Sequence, residues 1–323
     1  MILRRLRRFR DRNRPDLHFP GLTRGRAGEL RVALRRTLAE KGATVRFDGQ
    51  HAVIQDPRRG RVTVNLENLI GDVALSQHPK APRSMARAFV SSVLDGAPGE
   101  ALTTADLYAG LRLRVAPTTH LVPEEEEIIA SATLRSFTDD TVVTLVLDTE
   151  HTIQTMPLER LREHDDVDTL VRAARRNLRA ELLDLTPHAQ VHPGSEEHPG
   201  AHFRSFESGS YYMATAPVLF PELLDAWAPD LDHSRGVLFA MPTRHILLVR
   251  EISSGEDLLE GLGRMAPVAA QVAVDGSHAV SPLLHLWHEG EVTTLTSFDQ
   301  EGRELKITPT PYLLELMAAD EDF

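Results

Sequence analysis

The sequence predicts an α+β fold, with a mixed or mainly antiparallel sheet and helices packed on it. Short apolar strands come in pairs joined by tight polar turns, and amphipathic helices stand beside them. Strands and helices do not strictly alternate, as they would in a doubly wound sheet. We therefore expect an N-terminal helix–meander–helix unit followed by a larger α+β unit.

The N-terminal unit is predicted to begin with a helix over residues 29–41. Leucine recurs there at every fourth position, and Gly42 follows as a typical helix-ending residue. Asp48-Gly49 is a strong signal for a β-hairpin. Strands are expected at 44–48, 51–55 and 61–66, and further helices at about 67–76 and 83–95.

The larger unit has less regular spacing between its elements. Its strands are predicted at 111–115, 128–135, 142–147, 151–156, 236–241, 245–251, 283–287 and 291–295. Its helices are predicted after Pro157, at 167–185, 217–228, about 255–262 with an interruption near Pro267, and 312–317. We expect a basic tail at 1–26, a small α+β unit at 27–100, and a larger domain at 101–323 with a His/Pro/Gly-rich loop at 186–204.

Charge is unevenly distributed along the chain, which has 323 residues and a formal net charge of −11. Residues 1–26 contain nine arginines and two aspartates, a net charge of +7, which leaves −18 for residues 27–323. Because an acidic surface repels phosphates, we expect no nucleic acid to bind the acidic body. An anionic membrane surface or an acidic partner is expected only for residues 1–26.

Several classes of protein are excluded or disfavoured by composition. The chain contains no cysteine, which excludes disulfides, thiolate catalysis and iron–sulfur ligation. No stretch approaches the roughly 18 consecutive apolar residues of a membrane-spanning helix. The basic N-terminus lacks the apolar segment of a signal peptide. We expect a soluble cytoplasmic protein, with peripheral attachment at the inner face of the membrane as an alternative.

Three segments resemble a known family: FRSFESGSYYMATAPVLFPELLDAW (203–227), GVLFAMPTRHILLVREI (236–252) and HLWHEGEVTTL (285–295). They are similar to the YtpQ-like bacterial proteins of unknown function. A weaker similarity covers DLYAGLRLRVAP (106–117), with Arg112 and Pro117 at family-like positions, and residues 144–180. The run YYMAT replaces the family's tyrosine–acid–alanine–serine run. The resemblance implies the architecture and carries over no activity.

Four histidines lie close together in the segment HAQVHPGSEEHPGAH: His188, His192, His198 and His202. Neutral imidazoles bind zinc, nickel or copper, so these residues are candidate metal ligands. No His-Glu-x-x-His motif accompanies them. The alternative, which we favour, is a solvated linker in which the histidines are incidental.

Two arginines, Arg112 and Arg114, stand at i and i+2 of a predicted strand and therefore share one face. Two guanidinium groups on one face are a candidate anion-binding clamp. The alternative is an exposed strand face whose arginines pair with acidic neighbours.

The first ten residues form a basic amphipathic segment, with candidate membrane or partner contacts at Leu3, Leu6, Phe9, Arg4, Arg7 and Arg8. Such a segment can lie on an anionic membrane or dock on a partner protein. The alternatives are a disordered tail and a segment folded against the chain's own acidic body.

No motif for a serine nucleophile or a phosphate-binding loop is present. We therefore expect a non-catalytic interaction or regulatory protein that binds another protein and needs no cofactor. One alternative is an enzyme with an unrecognised site, metal-dependent or not, built from Arg112 and the histidine segment. The other is a peripheral membrane protein attached through the basic N-terminal segment.

Overall fold

The structure is a computed structural model. It describes residues 12–19, 21–57, 60–76, 78–95, 103–119, 121, 123–148, 153–276, 278–299 and 304–319. The chain divides into unit 1, residues 1–103 with 149–153, and unit 2, residues 104–148 with 154–323. Every strand pair with an assigned register in these ranges is antiparallel, and helices pack on the sheets, which confirms the α+β class.

The described part of unit 1 is a three-stranded antiparallel meander with three helices. Its elements are α1 (Arg24–Glu40), β1 (Thr44–Asp48), β2 (His51–Asp56), β3 (Gly60–Asn65), α2 (Glu67–Leu75) and α3 (Ala81–Asp95). The strand order is β1-β2-β3. Leucines at every fourth position of α1 are buried against the inward face of the sheet, where Ala52 and Ile54 also lie. The regular spacing of the leucines thus places one stripe of the helix in the core.

The prediction of a tail over residues 1–26 is wrong for residues 12–19 and 21–26. Phe19 and Leu22 are buried in the core of unit 1, and a β-bridge joins Pro15 to Thr23. Thr23 caps α1, because its hydroxyl accepts the N–H of Arg26 at 3.3 Å. Burial of apolar side chains outweighs the basic composition of this segment, which belongs to the folded unit.

Unit 2 is built on two main antiparallel sheets. In chain order, its strands begin with β4 (Leu111–Pro117), β5 (Thr133–Thr138), β6 (Thr141–Asp148), β7 (Ile153–Thr155), β8 (His188–His192), β9 (Phe203–Glu207), β10 (Val237–Thr243) and β11 (Ile246–Glu251). The others are β12 (Leu284–His288), β13 (Glu291–Thr294), β14 (Thr296–Phe298) and β15 (Leu305–Ile307). A six-stranded sheet has the order β13-β12-β10-β11-β9-β8, and a smaller sheet contains β4-β6-β5, with β7 beside β6.

Helices cover these sheets. Their bounds are α4 (Thr104–Gly110), α5 (Pro123–Ala132), α6 (Leu158–Arg162), α7 (Val167–Asp184), α8 (Glu222–Trp227), α9 (Gly255–Asp275) and α10 (Pro311–Ala318). One face of the six-stranded sheet packs on α9 through a core that includes Leu262, Met265 and Leu284. A seven-residue 3-10 helix, Met213–Leu219, is buried along its whole length.

Two element predictions in unit 2 are wrong in part. Residues 128–132 belong to helix α5, and the strand begins only at Thr133. Pro123 at the first position and glutamates in the first turn favour a helix start there. Helix α9 continues through Pro267 to Asp275, since its apolar face packs along the sheet and outweighs one lost backbone hydrogen bond.

The prediction of a loop over 186–204 is also wrong in part. Residues 188–192 form β8, which pairs with β9 at the edge of the six-stranded sheet. Four of its five residues are exposed, so it has no apolar alternation that would have marked it as a strand.

Within the described residues, no helix combines the length and apolarity needed to cross a bilayer.

Candidate functional site

The structure separates the four candidate histidine ligands. His188 and His192 stand at opposite ends of β8, about 13 Å apart at the usual rise of an extended strand. His192 stacks on Phe203 and shares a hydrogen bond of 2.9 Å with the Ser205 hydroxyl. His198 lies 3.7 Å from Asp257.

The fourth histidine, His202, lies 3.7 Å from Glu251. His192, His198 and His202 therefore each contact different residues. In the part of the chain that the structure describes, no group of three or more histidine, aspartate or glutamate side chains is arranged to hold a metal ion.

Arg112 and Arg114 share one face of β4, where they are half-buried. The Nε of Arg112 donates to Glu181 Oε2 on α7 at 3.1 Å. The same glutamate accepts the Ser210 hydroxyl at its other oxygen, at 3.3 Å. Arg112 therefore already has a carboxylate partner in its own unit, which favours the alternative of an arginine paired with acidic neighbours.

Next to this pair lies a buried tyrosine–carboxylate contact. The Tyr212 hydroxyl donates to Asp148 Oδ2 at 2.8 Å. Burial raises the pKa of Asp148, while the Tyr212 hydrogen bond and the charge of Arg112 lower it. Burial and the neighbouring Asp148 raise the pKa of Tyr212, so it stays a neutral donor. The contact joins the Ser208–Tyr212 segment to the end of β6.

One cluster in unit 2 contains the residue types of a catalytic triad. Ser281 Oγ lies 2.8 Å from Asp140 Oδ2 and 3.2 Å from His285 Nε2. His285 Nδ1 lies 3.2 Å from the Thr294 hydroxyl. Ser281 and His285 have no exposed surface, and Asp140 is 7% exposed.

The hydrogen-bond directions in this cluster are the opposite of those that nucleophilic catalysis needs, in which the serine donates to the histidine. The Asp140 carboxylate accepts hydrogen bonds from two hydroxyls, those of Thr138 and Ser281, each at 2.8 Å. Ser281 has a single hydroxyl proton, and this hydrogen bond uses it. The Ser281 oxygen must then accept from His285 Nε2–H, which makes this imidazole a donor rather than a base. Burial lowers the pKa of His285 to about 3, and burial raises that of Asp140. The cluster is therefore a neutral-histidine network of the core.

In unit 1, charge has a different balance. Residues 1–103 contain 20 arginines and lysines and 10 aspartates and glutamates, a formal net charge of +10, which leaves −21 for residues 104–323. Residues 1–26 carry +7 of this charge and residues 27–103 carry +3, so the excess of basic residues continues past residue 26. A domain of this charge attracts anionic partners.

An open groove of about 470 Å³ lies beside β1 in this basic unit. Its lining residues come from α1, from β1 with its hairpin turn, and from the segment before α1: Arg31, Arg35, Val45, Arg46, Phe47, Gly49 and His18. Arg31 and Arg35 stand four residues apart and so lie on one side of α1. Three arginines thus line a single groove of unit 1.

The arginines of the groove differ in their partners. Arg31 forms a two-pronged ion pair with Asp16, at 2.7 and 3.1 Å, and this guanidinium lowers the Asp16 pKa to about 2. Arg35 and Arg46 are exposed and have no hydrogen-bond or ion-pair partner among the described residues. These two side chains supply uncompensated positive charge.

Two aromatic rings lie beneath the guanidinium groups. Arg31 Cζ is 3.9 Å from the centroid of Phe19, and Arg35 Cζ is 5.0 Å from that of Phe47. The rings meet edge to face, with centroids 6.2 Å apart. Stacking of this kind holds both arginine side chains in place, and it leaves the nitrogens of Arg35 available for an anion.

The sequence patterns alone did not indicate the groove. The signal that could have found it is the excess of arginine over residues 27–103, which a charge total for residues 27–323 conceals. The six N-terminal candidates, Leu3, Leu6, Phe9, Arg4, Arg7 and Arg8, lie outside the described residues. Membrane or partner contact through them stays a prediction.

The fold and the groove define an α+β protein with a basic N-terminal unit. No protein-family model, curated protein or solved structure matches the chain significantly. The resemblance to YtpQ-like proteins therefore stays a prediction.

Proposed function

We propose that this chain is a non-catalytic interaction protein that binds an acidic segment of a partner protein through the groove of unit 1. The observation that carries the proposal is the pair of exposed, uncompensated arginines, Arg35 and Arg46, in a groove formed within residues 1–103, which carry a net charge of +10. Carboxylates are the natural counterpart of such guanidinium groups.

The chemistry of unit 2 supports a non-catalytic role. The serine, histidine and aspartate that come together there are buried. The serine donates to the aspartate and accepts from the histidine, so the histidine does not act as its base. Arg112 is paired with Glu181. The proposal places the protein in the cytoplasm, in keeping with its lack of cysteine.

A charge-matched pair of variants tests the proposal. The full chain is titrated with a fluorescent eight-residue peptide of two Thr-Thr-Glu-Glu repeats, which carries carboxylates on both faces of an extended strand, and binding is followed by anisotropy. The groove variant Arg35→Gln/Arg46→Gln is compared with Arg83→Gln/Arg87→Gln, which removes two exposed arginines from α3, outside the groove.

We expect the groove variant to bind about tenfold more weakly, since two charge contacts of about 0.7 kcal/mol each give that factor. The control variant should retain most of the affinity, and added salt should weaken binding to the wild-type chain. Equal losses in both variants, or no binding by the wild-type chain, would overturn the proposal.

A further inference from the structure

The groove of unit 1 runs along the edge of a sheet. Strand β1 pairs with β2, which in turn pairs with β3, and no other described strand pairs with β1. One edge of β1 is therefore not used by any strand that the structure describes. Edge strands present backbone donors and acceptors to which another chain can add.

The register identifies which backbone groups point to that edge. Asp48 and His51 are partners across the two-residue turn Gly49–Gln50, and such a closing pair exchanges both backbone hydrogen bonds. Bonded pairs alternate with non-bonded pairs in an antiparallel ladder. The N–H and C=O groups of Val45 and Phe47 therefore point away from β2.

These outward groups belong to residues that line the groove. Val45, Arg46 and Phe47 line it from the strand, and Arg31 and Arg35 line it from α1. An extended segment added to the edge of β1 would run between the strand and the helix. Successive side chains of such a segment point to opposite faces, so one face meets Arg35 and the other meets Arg46.

We infer that the acidic partner segment binds as an added antiparallel or parallel strand on β1, with carboxylates paired to Arg35 and Arg46. This inference rests on the proposed function and specifies its binding mode. Backbone hydrogen bonds to Val45 and Phe47 would supply affinity, and the two arginines would supply selectivity for acidic side chains.

The aromatic rings of the groove favour a peptide over a single-stranded nucleic acid. Base stacking needs an open ring face. Phe19 has no exposed surface and lies under Arg31, and Phe47 lies under Arg35. Unpaired backbone groups of a strand are complementary to another peptide backbone rather than to bases.

Backbone methylation of the peptide tests the binding mode. Two versions of the threonine–glutamate peptide are prepared, one N-methylated at its odd-numbered positions and one at its even-numbered positions. In an extended strand, N–H groups of alternate residues point to the same edge, so each version blocks one edge. Both are titrated against the full chain beside the unmethylated peptide.

Strand addition predicts that one methylated version binds at least tenfold more weakly and that the other stays within about threefold of the unmethylated peptide. The amides of Val45 and Phe47 should also exchange hydrogen more slowly when the unmethylated peptide is bound, with a smaller change at Arg46.

The other outcomes separate the two proposals. If both methylated versions bind as well as the unmethylated one, or both lose binding, strand addition is wrong and the proposed acidic partner stands. If no peptide binds, both proposals fail. An eight-nucleotide oligouridylate that binds more tightly than the peptide would also overturn the inference in favour of nucleic acid.

Discussion

The guanidinium of Arg250 lies directly against Gly261 of α9. A Cβ atom on Gly261 would come within 2.3 Å of Arg250 Cζ. Arg250 is 1% exposed, and its Nη2 lies within hydrogen-bond distance of the carbonyls of Gly200 and Asp257 and of the Ser253 hydroxyl. One buried cation thus joins β11 to the first turn of α9 and to the 3-10 turn at Pro199–Ala201.

Gly261→Ala should destabilise the chain by about 1–3 kcal/mol, because overpacking against Arg250 outweighs the gain in helix propensity. The matched control is Gly263→Ala on the same helix, where a Cβ meets no atom within 4 Å. The control should stabilise by up to about 1 kcal/mol. Urea denaturation measures both; shifts of the same sign would contradict the packing argument.

Tyr212→Phe should lower stability by about 1–3 kcal/mol, since it removes the hydroxyl that donates to the partly buried Asp148. The double variant Tyr212→Phe/Asp148→Asn should lose less than the sum of the single variants. A coupling of about 1 kcal/mol or more in this double-mutant cycle supports the contact. Strictly additive losses would show that the two groups do not interact.

His285 should make the stability of unit 2 depend on pH. The pKa of His285 is about 3 in the folded chain, whereas its ordinary value, which applies to the unfolded chain, is 6.5. Between these pH values the unfolded chain therefore binds one proton more than the folded chain. This contribution is fully present above pH 6.5 and is lost as pH falls toward 3, with a slope of at most about 1.4 kcal/mol per pH unit.

The variant His285→Gln tests that slope, measured by urea denaturation at a series of pH values. Its stability should fall less steeply below pH 6.5, and its profile should parallel the wild type above pH 7. Because the pKa of Asp140 is raised, the folded chain binds an extra proton above pH 3.8, and this contribution to stability grows as pH falls. Asp140→Asn removes it and should therefore make the loss of stability at falling pH steeper. Parallel profiles at every pH would contradict the neutral, buried state of His285.

Asp16→Asn should destabilise unit 1 by about 1–3 kcal/mol at neutral pH, because it breaks the half-buried ion pair with Arg31. Since Arg31 lowers the Asp16 pKa to about 2, this stability is present above pH 3.8 and is lost as pH falls to about 2. Hydrogen exchange of residues 24–40 in the full chain measures it. Glu40→Gln, which breaks the exposed Arg36–Glu40 pair, should cost about 0.5 kcal/mol or less; equal effects would count against a special role for Asp16.

Much of the secondary structure could be predicted because its signals are local. The leucine spacing over 29–41 and the Asp48-Gly49 turn depend on neighbouring residues alone, and the structure confirms the helix and the hairpin. Strand β8 could not be predicted this way, since its exposed residues carry no periodicity and its pairing partner β9 supplies the hydrogen bonds.

The sequence by itself determined the α+β class and the helices and hairpins with strong periodicity, because each follows from contacts between near neighbours. Only the tertiary structure decided the environments of the functional side chains. It placed Ser281 beside Asp140 across 141 positions of chain, paired Arg112 with Glu181, and brought Arg35 next to Phe47. Such contacts depend on how the helices and sheets pack, and no local pattern of residues records them.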